Sequence, residues 1–130
     1  MLVAGGPAVR ILLVEDDAAV AELYSIRLEV DGHAVLLAAD GEAALEMARK
    51  EMPQLVFLDI RLPRLDGLAV LSALKADPAT AAIPVVMLSN YGRKEIVQQA
   101  LSLGAVDFRI KSRTTPSELA ASIKRWAEAQ

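Results

Sequence analysis

Four polar positions in this chain stand at the carboxyl ends of predicted strands. Asp59 ends the run Leu55-Val-Phe-Leu58, Glu15-Asp16-Asp17 ends residues 11–14, Ser89 ends residues 84–88, and Lys111 ends residues 105–110. A carboxylate placed at the end of four buried apolar residues costs several kcal/mol of desolvation unless it is paired. If the fold gathers these ends, the carboxylates repel by about 4 kcal/mol per pair at 4 Å and an effective dielectric near 20. Such a cluster needs a cation to stay ionised. Oxygen donors without His or Cys favour Mg²⁺ (or Mn²⁺), which takes one or two carboxylates and keeps several waters. Lys111 supplies a second counter-charge. Metal, ammonium and hydroxyl together form a site for a small, highly charged anion, a phosphoryl group.

Each residue also has a plainer role open to it. Asp16 and Asp17 suit the N-cap of a following helix and complement its dipole. Ser89 alone would serve as a helix cap, Lys111 as a solvated strand-end lysine, and Phe108 as core. The coincidence of four strand ends is what favours chemistry, with Asp59 at its centre.

The elements that must position these groups follow from periodicity and punctuation. Runs over residues 9–14, 33–38, 55–58, 84–88 and 105–110 read as strands, and the unbroken ones read as buried on both faces. Between them lie helical patterns. The first has Val20, Leu23, Tyr24 and Leu28 at helical spacing and stops at Asp31-Gly32. The second opens at Asp40-Gly41, turns Ala44, Leu45 and Ala48 inward, and ends before Pro53. The third opens at Asp66-Gly67 and carries Leu68, Leu71 and Leu74. The fourth is marked by Val97, Ala100 and Leu101 and stopped by Gly104. Thr115-Pro116-Ser117-Glu118 starts the last with a cap, a first-turn proline and a capping-box glutamate, followed by the stripe Leu119, Ile123, Trp126. Strand and helix alternate five times, which predicts right-handed βαβ units and a parallel sheet covered on both sides. Five strands suit an open doubly wound, flavodoxin-like α/β sheet of order 2-1-3-4-5 with five helices. Its switch point then falls between the first and third strands, beside Glu15-Asp16-Asp17 and Asp59.

Composition sets the outer limits. The 130 residues suit one domain, and 54% hydrophobic with 24% charged residues is globular. A net charge of −3 gives no basic footprint for nucleic acid. No cysteine is present, which excludes disulfides and thiolate metal sites. Residues 1–7 are too short and lack the basic start of a signal peptide, and no apolar run reaches the roughly 18 residues of a membrane span. A cytoplasmic domain over residues 9–128, after an N-terminal extension over 1–8, is expected.

With these residues in place, the sequence resembles the receiver domain of two-component response regulators, of the kind found in chemotaxis regulators, from about Val9 to Trp126. The motifs are ILLVEDD (11–17), LVFLDIRLPRLDG (55–67), PVVMLSN (84–90) and GAVDFRIK (104–111), in the family's order and spacing. The resemblance implies that Asp59 is the phosphoacceptor for a sensor histidine kinase or phosphotransfer protein. Glu15 and Asp16 would be the acidic pair that holds Mg²⁺, with Asp59 and the backbone carbonyl of Arg61 as further ligands. Ser89 would be the switch hydroxyl, Lys111 the lysine that pairs with Asp59 and then with the phosphate, and Phe108 the aromatic residue whose rotamer follows. It implies a signalling module that acts on itself and is not a turnover enzyme. The face formed by the fourth helix, fifth strand and fifth helix would control an unidentified effector, and a homodimer through that face is also consistent. No membrane and no nucleic-acid contact are expected of this chain. The chain ends soon after the last helix, so an output domain is not expected within it, and it is either a stand-alone regulator or part of a longer protein.

Three departures from the family pattern bear on the site. Ser112 follows Lys111 where many relatives carry proline, so a cis bond is not expected there. Asn90 stands where Ala or Gly is common and would narrow access to Asp59. Arg61 and Tyr91 occupy positions that tune the lifetime of the acyl phosphate, and their bulk is expected to change dephosphorylation. Two other functions share parts of this pattern: an aspartyl-phosphate phosphatase, which would carry a second acid where Arg61 stands, and a pseudo-receiver used for docking only, against which the intact acidic, hydroxyl and lysine set speaks. A nucleotide- or flavin-binding protein fits least, for want of a Gly-rich loop after the first strand.

Overall fold

The computed structural model describes residues 8–129, so residues 1–7 of the expected N-terminal extension lie outside the described residues. The described chain forms β1 (Arg10–Val14), α1 (Ala18–Val30), β2 (Ala34–Ala38), α2 (Gly41–Glu51), β3 (Leu55–Leu58) and α3 (Gly67–Ala76). It continues through β4 (Val85–Ser89), α4 (Lys94–Ser102), β5 (Asp107–Ile110), a 3₁₀ turn (Lys111–Arg113), α5 (Pro116–Ala121) and α6 (Ile123–Glu128). All strand pairs are parallel, in the order β2-β1-β3-β4-β5. The flavodoxin-like α/β architecture is as the alternation requires.

Successive side chains of a strand point to opposite faces, and this divides the core in two. Leu12, Val14, Val56, Leu58, Val85 and Met87 pack with Ala44, Ala48, Val70, Leu71, Leu74 and Ala100. Ile11, Leu13, Leu55, Phe57, Val86 and Leu88 meet Tyr24, Leu28, Leu119, Ile123 and Trp126 on the other face. Phe57 and Trp126 sit edge to face, with ring centroids 5.7 Å apart. Because β1, β3 and β4 are covered on both sides, they read as unbroken apolar runs rather than alternating ones.

The helix starts follow their caps. Asp17 accepts from the N–H groups of Ala19 and Val20, Asp40 from Ala43, and Asp66 from Ala69, while Thr115 and Glu118 form the reciprocal capping box. Three details differ from the sequence reading. Leu23 is 58% exposed, with Ile26 and Val30 also exposed, and α1 buries Ala21, Tyr24, Ser25 and Leu28 instead. Apolar residues lie on several sides of that helix, among Glu22, Arg27 and Glu29, so periodicity did not single out its buried stripe. The last helix is split, because the Ser122 N–H reaches the carbonyl of Leu119 at 3.1 Å, one residue short of the α pattern. Its stripe of Leu119, Ile123 and Trp126 stays buried across the break. β5 starts at Asp107 rather than Ala105, and β2 at Ala34 rather than His33, whose own N–H donates to the carbonyl of Leu28 at the end of α1 while its Nδ1 accepts from the N–H of Val9 at 3.0 Å.

Candidate functional site

Strand register brings the polar ends together. Val14 lies opposite Leu58 in the β1–β3 ladder, so the next residues, Glu15 and Asp59, emerge side by side. The Asp59 N–H still donates to the carbonyl of Val14 (3.3 Å) and the Glu15 N–H to that of Ala38 (3.0 Å), which holds both backbones at the sheet edge. Ser89 lies opposite Ile110 in the β4–β5 ladder, so Lys111 leaves the sheet one step beyond it.

The carboxylates of Glu15, Asp16 and Asp59 each offer an oxygen, and these atoms all lie within 4.8 Å of one another. Glu15 and Asp59 are buried and Asp16 is exposed, so the cluster opens to solvent on one side. Lys111 Nζ donates to Asp59 Oδ2 at 2.6 Å and contacts Glu15 Oε1 closely. The other Asp59 oxygen accepts from the N–H of Ile60 at 2.7 Å, and Glu15 Oε2 accepts from the N–H of Asp17 at 3.1 Å. One ammonium thus faces two buried carboxylates, with a third alongside.

The protonation equilibria reflect this imbalance. Burial raises the Glu15 carboxyl above its ordinary value, and the hydrogen bond from Lys111 offsets only part of that. Burial alone would lower the Lys111 ammonium, but hydrogen bonds to Asp59 and Glu15 outweigh it and the net shift is upward. An oxygen-only donor set with surplus negative charge and one open side fits a hard divalent cation such as Mg²⁺ or Mn²⁺. Asp17 takes no part in the cluster. Its carboxylate is spent on the α1 cap.

The remaining predicted residues sit around this cluster. The buried Ser89 hydroxyl accepts from the N–H of Tyr91 at 3.1 Å. Phe108 is half-buried against the core, and Gly92 passes so close that a Cβ there would lie 2.0 Å from Ile110 Cδ1 and 3.8 Å from Phe108 Cε1. Arg61 is exposed and lays its guanidinium 3.8 Å from the centroid of the Tyr91 ring. This stack joins the loop after β3 to the loop after β4. The Lys111–Ser112 peptide is trans. Asn90 turns its carboxamide toward the last loop, where Oδ1 accepts from the N–H of Ser112 at 2.9 Å.

Two positioning groups escaped the sequence reading. A Cβ on Gly67 would lie 1.9 Å from the carbonyl oxygen of Asp59, so the start of α3 approaches the acid's own backbone as only glycine allows. In the sequence Asp66-Gly67 marks a helix start and closes the motif over 55–67, with no sign of this approach. The Tyr24 hydroxyl donates to the carbonyl of Thr114 at 3.1 Å and pins the far end of the 3₁₀ turn that bears Lys111. A tyrosine on an apolar stripe gives no sign of such a partner.

Comparison with known proteins agrees with this geometry. The family model described as the response regulator receiver domain matches residues 11–124. The chain is 40% identical over 102 residues to the DNA-binding dual master transcriptional regulator RpaA of Synechocystis sp., which covers 78% of this chain and 42% of RpaA. It spans less than half the length of such curated relatives. The structure of a putative response regulator from Chloroflexus aurantiacus superposes with a TM-score of 0.87 at 30% identity, covering 95% of this chain and 100% of that one. The Mn²⁺-bound form of response regulator Rcp1 superposes with a TM-score of 0.80 at 29% identity, covering 94% and 96%. No described helix is long and apolar enough to cross a membrane.

Proposed function

The chain belongs to the response regulator receiver domain family, and from that membership we propose that it is a switch thrown by phosphorylation of Asp59. The observation that carries this reading is the Asp59 carboxylate held at 2.6 Å by Lys111 beside Glu15 and Asp16. The phosphoryl group comes from a phosphohistidine on a sensor histidine kinase or phosphotransfer protein. An Asp59 oxygen attacks phosphorus, the P–N bond breaks as the P–O bond forms, and the histidine leaves. The product is an acyl phosphate. Little covalent chemistry falls to the other residues, which position groups and neutralise charge. Mg²⁺ or Mn²⁺ held by Asp16, Asp59, Glu15 and the Arg61 carbonyl would neutralise the phosphoryl oxygens. Lys111, already on Asp59, has a short path to one of those oxygens.

Phosphorylation adds about −1.5 to −2 charge units beside groups that can respond. The Ser89 hydroxyl now accepts from Tyr91 and has its own proton free to donate to the phosphoryl group. Its movement draws the loop after β4 inward, and the half-buried Phe108 follows. The changed surface is the face formed by α4, β5 and the split last helix, α5 and α6, where Asp107 accepts from the Trp126 indole (3.1 Å) and pairs with Arg109 (3.1 Å). An effector that reads this face is the downstream partner. The chain then acts only on its own acyl phosphate, making and losing it.

The test is intact-mass measurement after incubation with phosphoramidate and Mg²⁺. One phosphoryl group should add to the wild type, and none to Asp59→Asn or to metal-stripped protein. Failure of phosphoramidate and of a phosphohistidine donor alike would overturn the reading.

A further inference from the structure

We propose that Asn90 is a positioning residue, whose carboxamide ties the loop bearing Ser89 to the turn bearing Lys111 so that hydroxyl and ammonium respond to the phosphoryl group as one body. The inference rests on the function proposed above. The β4–β5 ladder ends at the pair Ser89 and Ile110. Beyond that rung, the hydrogen bond from the Ser112 N–H to Asn90 Oδ1, 2.9 Å long, is the one described hydrogen bond that joins the two loops. Its ends are the immediate neighbours of Ser89 and Lys111.

The bond also answers a local need. Ser112 lies in the first turn of the 3₁₀ segment, where a backbone N–H has no partner within the turn. Asn90 supplies that partner at the start of the turn, while the Tyr24 hydroxyl holds Thr114 at its end. The turn is therefore anchored at both ends, and Lys111 reaches Glu15 and Asp59 from a fixed base. Two sequence departures, a polar Asn90 and a Ser112 that has an N–H where proline has none, are the two halves of one contact. Asn90 was expected to act by narrowing access to Asp59; its carboxamide oxygen is engaged by the Ser112 N–H of the last loop, and the variants below separate strap from gate.

Four variants test the strap: Asn90→Ala removes the acceptor, Ser112→Pro the donor, the double variant both, and Ser112→Ala neither. Phosphoryl uptake from phosphoramidate with Mg²⁺ should slow about three- to ten-fold in each of the first two, the span of one net hydrogen bond. The double variant should be no slower than either single one, since both break the same bond, and Ser112→Ala should match wild type. Faster uptake in Asn90→Ala with no effect of Ser112→Pro would show a gate and overturn the strap, as would additive losses. Amide hydrogen exchange of the unphosphorylated protein reads the bond independently of any phosphoryl transfer. The Ser112 amide should be protected in wild type and Ser112→Ala and lose protection in Asn90→Ala. No protection in wild type would refute the strap, whereas protection without phosphoryl uptake would refute only the function it rests on.

Discussion

Replacing Lys111 by methionine keeps most of the side-chain volume and removes the charge that holds two buried carboxylates together. Lys111, Glu15 and Asp59 side chains are 13%, 3% and 8% exposed, so both ion pairs are largely desolvated. Breaking a buried ion pair on one side costs about 3–5 kcal/mol. The acid oxygens lie within 4.8 Å, where each pair repels by about 3.5 kcal/mol at an effective dielectric near 20. Part of that cost is escaped by protonation, because burial already holds the Glu15 carboxyl above its ordinary value. The net expectation for metal-free Lys111→Met at neutral pH is a loss of about 2–3 kcal/mol in urea denaturation. A carboxyl raised in the folded state destabilises as pH rises through that raised value, so the gap from wild type narrows in acid. Saturating Mg²⁺ replaces the missing positive charge and should recover at least about 1 kcal/mol more in the variant than in wild type. An equal loss with and without Mg²⁺, or no loss at all, would refute the electrostatic account of the site.

Three further outcomes follow from the geometry. Gly67→Ala forces a Cβ onto the Asp59 carbonyl; it should cost about 1–3 kcal/mol or more and weaken Mg²⁺ binding, both measurable by denaturation with and without metal. The Arg61–Tyr91 stack bridges the two loops beside Asp59, so Arg61→Asn with Tyr91→Glu should speed loss of the acyl phosphate about two- to five-fold, the worth of an exposed cation–π contact. An unchanged lifetime would deny the stack that role. His33 is the single histidine, its Nδ1 accepts from Val9, and burial holds it below its ordinary value against an opposing pull from Asp31. The unfolded chain therefore takes up the proton first, and stability should fall as pH drops below about 6.5 toward the folded value. In His33→Gln that slope should flatten, and an equally steep one would place the acid sensitivity elsewhere.

The legible parts of this chain are those fixed by two-sided burial and by punctuation. Leu55–Leu58 announced a central strand because every position in it is buried, and Asp40, Asp66 and Thr115 announced helix starts because each has a bonded cap. The site was legible because parallel register carries the ends of β1 and β3 to one rim. Where a residue's partner depends on chain distant in sequence, composition was silent. Leu23 looked like core because apolar residues are spread round α1, so its spacing to Val20 and Tyr24 did not mark the buried side. Arg10 is a charged residue within β1 whose guanidinium bonds the carbonyls of Glu51 and Met52 at 2.6 and 2.7 Å and closes the end of α2, a partner that its place in the sequence does not announce. Asn90 and Ser112 read as isolated departures until the sheet brought them within 2.9 Å.

Borohydride reduction after phosphorylation tests the central claim most directly, because it converts an aspartyl phosphate to homoserine and peptide mapping then names the residue. With phosphoramidate and Mg²⁺, homoserine is predicted at position 59 alone, and it should be absent when Mg²⁺ is chelated. Homoserine at Asp16 or Glu15-derived product in its place, or no reduced residue in phosphorylated protein, would contradict the assignment of Asp59 as the phosphoacceptor.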